Sequence, residues 1–461
     1  MKPAIDLDTR ELQEKDREHF LHPWHDFESD PERLVVTRAE GARIYDSDGN
    51  AYLDGIGGMW CVNVGYGRSE IAEVMARQGE LMPYYSTFTD TTNVPAVQLS
   101  AKLAELAPGS INNVMYSCSG SAANDSAVRL AHYYHARRGM PGKKHIITRR
   151  SAYHGSTYLG ISLSGRDYRN PGHVHFVDDI VQHLSAPNTY RRPDDLSLEA
   201  FRDQLVAEFE SKIQELGADN IAAFIAEPIM GAGGVIVPPP GYLQEMRELC
   251  RKNDILYISD EVVTAFGRLG HMFSSLDEFG IQPDMIVAAK GITSGYIPLG
   301  ATLFSDEIID VISEPDEGAC FEHGFTYSGH PVACAVALKN IEILESESIC
   351  EHVRDVGDYF EQQLRTLVDL PYVGDVRGRR FMMCVEYVAD KKTKAQLPWE
   401  LDISRRISDA CEERGLMVRP LGHLDVLSPP LVLTRSDIDE LVRILGDSIE
   451  AVAPDIRAAL N

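Results

Sequence analysis

Lys290 closes a short apolar run, Met285-Ile286-Val287-Ala288-Ala289, and is followed at once by Gly291. An amine at the carboxyl end of a buried strand loses its hydration, which is costly unless a function holds it there. Thirty residues earlier a second apolar run, Ile255-Leu256-Tyr257-Ile258-Ser259, ends in Asp260-Glu261. A lysine that can form a Schiff base and an aspartate that can hold a pyridinium nitrogen are the two polar anchors of pyridoxal phosphate chemistry. Singly, each has a plainer reading: Asp260 as the cap of the next helix, Lys290 as a surface residue. A third run, Ala222 to Ala226, ends in Glu227-Pro228. Ligands of open α/β sheets bind beyond the carboxyl ends of the strands, so polar endings that converge on one edge describe a site.

Other segments supply smaller parts. Ser117-Cys118-Ser119-Gly120-Ser121 follows a strand and opens an Ala-rich helix. Its backbone amides and the helix dipole suit a phosphate, although a Ser/Gly-rich N-cap turn is common. Tyr153-His154-Gly155 offers a ring to stack on a flat heterocycle, or a structural tyrosine. Gly324 to Pro331 is a dense, hydroxyl-bearing turn in which Thr326 offers a second phosphate contact, or simply a helix entry. Arg419 lies in the apolar stretch Gly415 to Pro420, where an unpaired guanidinium is expensive. It requires an internal acid or a carboxylate ligand. Trp60, Tyr85 and Phe88, in Gly- and Pro-punctuated segments, wall a pocket or pack ordinarily. No Walker-type loop and no complete GxGxxG follows a strand, which argues against nucleotide binding.

The elements that must position these residues follow from periodicity. Residues 1 to about 30 read as an amphipathic arm ending near His22-Pro23-Trp24. Val35-Val36, Arg43 to Tyr45 and Ala51 to Asp54, with a turn at Asp46 to Asn50, read as a β-meander. From about 70 to 335 helical stretches (96–106, 122–135, 241–253) alternate with continuous apolar runs (113–116, 145–148, 222–226, 255–258, 285–289). That alternation predicts an α/β fold with a parallel sheet covered on both faces. Beyond 340 the chain is helix-rich, with a strand at Phe381 to Val385 and a last helix opening at Thr434 with a capping-box-like start. Residues 70–335 therefore read as a large domain, and residues 1–69 and 336–461 as a small one built from both chain ends.

The chain has 461 residues and a formal charge of −26, from 44 Lys plus Arg against 70 Asp plus Glu. So acidic a surface argues against nucleic acid or an anionic membrane as partner. The eight cysteines show no CxxC pair and no metal-ligand spacing, and read as reduced, mostly buried thiols of a cytoplasmic protein. The first twenty residues lack a signal-peptide core, and no apolar run approaches membrane-spanning length.

Taken together, these motifs resemble the class III pyridoxal phosphate aminotransferases of fold type I, specifically the ω-amine:pyruvate transaminases, over roughly residues 25 to 455. The most specific stretch runs from Tyr257-Ile258-Ser259-Asp260-Glu261-Val262 through Ala265-Phe266-Gly267-Arg268 to Lys290-Gly291-Ile292-Thr293-Ser294-Gly295. Asp54-Gly55, Trp60 to Gly67, Ala152 to Ser156, Ala226 to Ile229 and His323 to Pro331 are also similar. The resemblance implies a mostly parallel seven-stranded sheet between helices, plus a smaller α+β domain. It also implies pyridoxal 5'-phosphate as cofactor. By the same resemblance Lys290 is the Schiff-base lysine and proton shuttle, and Asp260 pairs with the pyridinium nitrogen. Tyr153 stacks on the ring with Val262 behind it, Glu227 helps order its surroundings, and His154 is a further cofactor-binding residue. Ser119, Gly120, Ser121 and, from a partner subunit, Thr326 hold the phosphate. Trp60, Tyr85, Phe88, Tyr153 and Arg419 line the substrate pocket, with Arg419 swinging in for a carboxylate. The implied assembly is a homodimer or a dimer of dimers. One departure stands out: where many relatives carry Glu after Ser119-Gly120-Ser121, this chain has Ala122. Two other readings stay open, a class III decarboxylase or aminomutase and a non-catalytic protein that kept the cofactor.

Overall fold

The computed structural model describes residues 8–24, 27, 32–165 and 174–460. In the arm, a helix at Thr9–His19 is capped by Asp8, whose carboxylate accepts the amides of Arg10 and Glu11, and it buries none of its residues. The rest of the predicted arm, residues 1–7, 25–26 and 28–31, lies outside the described residues. The predicted meander is present as β1 (Val36–Glu40), β2 (Arg43–Asp46) and β3 (Ala51–Asp54), paired antiparallel.

The central sheet has seven strands: β4 (Ile111–Ser117), β5 (His145–Arg149), β6 (Val181–Leu184), β7 (Ile221–Ala226), β8 (Leu256–Asp260), β9 (Met285–Ala288) and β10 (Gly300–Ser305). Their order is β4-β10-β9-β8-β7-β5-β6, and only β10 runs against the rest. Successive strand residues point to opposite faces, and both faces are covered. Ile146, Ala223, Ile225 and Ile258 pack with Ala127 and Leu130 of the helix Gly120–Arg137. Ile147, Phe224, Ala226 and Tyr257 pack with Phe209 and Met246 of the helices Leu198–Leu216 and Tyr242–Lys252. Every residue of β7, β8 and β9 is buried, which is why each reads as a continuous apolar run.

Toward the carboxyl end, β11 (Val373–Arg379), β12 (Met382–Tyr387), β14 (Arg419–Pro420) and β15 (Leu424–Leu427) form an antiparallel sheet of order β11-β12-β15-β14. The short β13 (Leu416–Met417) instead pairs parallel with β3, so one sheet joins the two ends of the chain. The last helix, Arg435–Leu460, opens as predicted: Thr434 Oγ1 accepts the Asp437 amide and Asp437 Oδ2 accepts the Thr434 amide. The thiols differ from the expectation of mostly buried cysteines. All eight are unpaired, but only Cys250, Cys334, Cys384 and Cys411 are buried, while Cys118 and Cys320 are exposed. Cys118 is exposed because it sits in the turn at the mouth of the cavity described next.

Candidate active site

The carboxyl edge of the parallel strands opens on a cavity of about 810 Å³. At its floor, Asp260 ends β8 and is 4% exposed. Asp260 Oδ1 accepts the Val262 amide (3.1 Å), and Oδ2 accepts from Asn124 Nδ2 (2.8 Å). His154 Nδ1 lies 2.7 Å from the same Oδ2 and carries the proton, since a carboxylate only accepts. Three donors from three segments thus hold one carboxylate in place. The plainer reading, Asp260 as a helix cap, is not what the structure shows.

Lys290 stands just past β9 and faces the cavity, its Nζ 5.8 Å from the centre of the Trp60 ring. Its backbone is left-handed (φ 49°), a conformation that costs an L-residue roughly 1–2 kcal/mol. Asn340, buried in the helix Pro331–Ser346, holds the turn by donating to the carbonyls of Gly291 (2.8 Å) and Ile292 (3.1 Å). Loss of hydration pulls the Lys290 amine below its usual pKa, and Asp260 offsets only part of that.

Glu227 follows β7 and is buried. It accepts the amides of Tyr153 (3.1 Å) and Gly231 (2.7 Å), while its own carbonyl accepts from Arg149 (2.6 Å). Burial pushes its carboxyl up. The acid therefore shapes both walls: it sets Tyr153 on one side, and on the other it fixes Gly231, where a Cβ would meet the Trp60 ring at 2.5 Å. Trp60 is delivered by a turn gathered on Asp54, which accepts the amides of Ile56, Gly57 and Gly58 and the Tyr66 hydroxyl.

The phosphate-type turn also forms. Ser119 caps the 18-residue helix Gly120–Arg137, its Oγ and carbonyl taking the amides of Ala122 and Ala123. The amides of Gly120 and Ser121 are left without an acceptor inside the helix and stand at its positive end. Gly120 packs so tightly on Val262 that a Cβ would lie 3.0 Å from it. A lysine, a fixed carboxylate and an anion cradle around one flat-walled cavity suit pyridoxal phosphate.

Of the residues predicted for the site, Ser119, Gly120, Ser121, Tyr153, His154, Glu227, Asp260, Val262, Lys290, Trp60 and Arg419 all line this cavity. Tyr85, Phe88 and Thr326 do not. All three are exposed; Phe88 packs on Gly324, and the Tyr84 hydroxyl donates to the Thr326 carbonyl (2.8 Å). Among the participants that the sequence reading missed, two stand out. Asn124 sits four residues after Gly120, and its only signal was an amide on the sheet-facing side of a helix. Trp24, at the predicted end of the arm, also lines the cavity, its ring 6.3 Å from that of Tyr153.

This fold and site are those of a vitamin B6-dependent aminotransferase. The family model for aminotransferase class III matches residues 26–449, and the chain belongs to that family. It is 42% identical to a putrescine–pyruvate aminotransferase of Pseudomonas aeruginosa, over 98% of each chain. Among solved structures it is similar to an (S)-enantioselective ω-transaminase from Thermomicrobium roseum (40% identity, TM-score 0.91, covering 97% of this chain and 99% of that one). It is also similar to a PMP-bound aminotransferase from Vibrio fluvialis (36%, 0.91, 96% and 98%). The protein is therefore a class III aminotransferase, an enzyme that moves amino groups with pyridoxal phosphate as cofactor.

Asn124 Nδ2 also donates to the His154 carbonyl (2.8 Å). Asn124→Ala is expected to lower stability by about 1–3 kcal/mol, because the buried His154 carbonyl and Asp260 Oδ2 each lose a donor. The urea midpoint should fall at unchanged slope. A change below about 0.5 kcal/mol would place Asn124 with ordinary surface positions.

Proposed function

We propose that the enzyme transfers the amino group of an ω-amino acid or a primary amine to pyruvate or a similar keto acid, in two half-reactions at one site. The observation that carries this reading is that Arg419 shares a largely apolar cavity with Trp60, Met59 and Leu421, beside Lys290. One pocket then offers a cation for a carboxylate and an aromatic wall for an amine that has none. The names of the similar proteins, a putrescine–pyruvate aminotransferase and an ω-transaminase, point the same way.

Bound here, pyridoxal phosphate supplies an aldehyde that condenses with amines and a ring that accepts the electron pair left when a carbon-bound proton departs. Gly120 and Ser121 amides, with the Ser121 hydroxyl, hold the phosphate at the helix end. The Asp260 carboxylate would be the partner of the ring nitrogen. His154 and Asn124 keep that carboxylate aimed. Tyr153 and Val262 would pack against the ring, and Glu227 fixes Tyr153. The Lys290 amine, its pKa lowered by burial, would be the group to hold the cofactor covalently. The same amine, free of the cofactor, would be the chain's own group for taking and returning a carbon-bound proton. Residues 70–335 form the cofactor-binding unit in this reading, and 1–69 with 336–461 the smaller one. Unpaired thiols suit a reducing cytoplasm, where we place the enzyme.

Tyr85 (57% exposed), Phe88 (49%) and Tyr327 (57%) make the surface around Thr326 unusually apolar. On our reading this surface meets a second copy, and Thr326, Tyr85 and Phe88 complete that copy's site, making a homodimer the minimal active form.

Arg419→Ala is expected to lower kcat/KM for pyruvate and alanine by about ten- to a hundredfold, the worth of a charge-assisted bidentate contact. The values for 1,4-diaminobutane should change far less. Equal losses for both substrates would make Arg419 structural and remove the basis of the proposal. For the assembly, Lys290→Ala and Thr326→Asp proteins are each expected to be inactive. After subunit exchange their mixture should regain activity, because some mixed dimers carry one intact site. No recovery after confirmed exchange, or a fully active monomer in sedimentation, would rule out the shared site.

A further inference from the structure

Arg419 on β14 and Leu421 in the tight turn from β14 to β15 reach the cavity, and that segment is held from behind by side chains that do not line the cavity. On the sheet side, the Leu421 amide donates to the Leu424 carbonyl (2.7 Å) and the Tyr387 amide to the His423 carbonyl (2.8 Å). On the other side stands the helix Ile403–Glu412, which presents Ser404 and Ser408 one turn apart. Ser404 Oγ donates to the Gly422 carbonyl (2.5 Å), and Ser408 Oγ to the Val418 carbonyl (3.3 Å). The two carbonyls that flank the segment 419–421 are thus tied to a single helix.

Trp399 completes the arrangement. Its ring lies 4.4 Å from that of His423, tilted by 31°, and it covers the turn so closely that a Cβ on Gly422 would stand 2.9 Å from the indole. Gly422 has φ +69°, so the turn needs glycine for conformation and for room alike. Trp399 itself is 66% exposed, whereas His423 beneath it is 5% exposed. An indole spread over a turn, rather than folded into a core, buries the turn and little else.

We infer that Trp399 and the pair Ser404/Ser408 are positioning residues that fix the backbone from which Arg419 meets a substrate carboxylate. This rests on the reading of Arg419 given above. Its consequence is that the preference for carboxylate-bearing substrates is set in part from outside the pocket. With both flanking carbonyls anchored, Arg419 adapts by turning its side chain on a fixed backbone, not by displacing the turn. A forked guanidinium–carboxylate contact is directional, so a small shift of its base weakens it. A carboxylate-free amine does not use that contact and is indifferent to the shift.

The test compares Trp399→Ala, Trp399→Phe, Ser404→Ala and Ser404→Thr holoenzymes, using pyruvate, 1,4-diaminobutane and butyrate, an unreactive carboxylate. Trp399→Ala and Ser404→Ala should raise the KM for pyruvate and the dissociation constant of butyrate by about three- to tenfold, a partial form of the loss that a displaced contact brings. The KM for 1,4-diaminobutane and kcat should stay within about twofold, ~0.4 kcal/mol. Trp399→Phe and Ser404→Thr should restore the pyruvate and butyrate values. Exposure of Trp399 makes its replacement compatible with folding, and Ser404→Ala removes only a hydroxyl. Unchanged carboxylate affinity, or equal losses for pyruvate and diamine, would overturn the inference. If Arg419→Ala discriminates between the substrates and these variants do not, the inference fails alone. If Arg419→Ala does not discriminate, the reading of Arg419 fails and takes the inference with it.

Discussion

A lysine at the carboxyl end of a parallel strand gives up hydration that a surface lysine keeps, and the rest of the site is organised around that loss. Desolvation lowers the Lys290 pKa, and the largest compensating charge, Asp260 on the neighbouring strand, restores only part of it. The result is an amine that gives up its proton more readily than a surface lysine does, the property that a nucleophilic lysine needs. The parallel sheet makes this possible. β8 and β9 lie side by side with carboxyl ends on one edge, so residues thirty positions apart in sequence face the same cavity.

The site is stabilised mostly by groups that would not touch a substrate. Asn340 pins the strained turn at Lys290. Asn124 and His154 aim Asp260. Glu227 couples the opposite walls through two backbone amides, and Ser404, Ser408 and Trp399 stand behind Arg419. Each fixes a short segment of backbone, so the reacting side chains project from rigid bases. Such preorganisation lets a site change its occupant without rebuilding its walls.

How much of this could be read in the sequence depended on locality. β7, β8 and β9 were legible because each is buried on both faces, so an apolar run ending in an acid or a lysine stands out from its neighbours. β10 was missed: Gly300-Ala301-Thr302-Leu303-Phe304-Ser305 becomes a strand through its antiparallel pairing with β4 and β9, which no local pattern records. Asn124 was invisible for the same reason, since its partner Asp260 lies 136 residues away. Arg419 was legible as a guanidinium in an apolar stretch, but the serines and indole that brace it were not. Tyr85 and Phe88 were expected to wall the pocket; within the chain they face outward, and Met59, Ile229 and Leu421 from three distant segments take that place.

The central claim is that Lys290 is the residue that carries the cofactor. Borohydride reduction of the holoenzyme, followed by peptide mapping, tests it directly, because reduction makes the bond between cofactor and lysine permanent. The account predicts one pyridoxyl-phosphate mass increment per chain, on the peptide containing Met285 to Thr293 and localised to Lys290. An increment on any other lysine, or none on Lys290 in protein whose visible cofactor band has been bleached by the reductant, would contradict it.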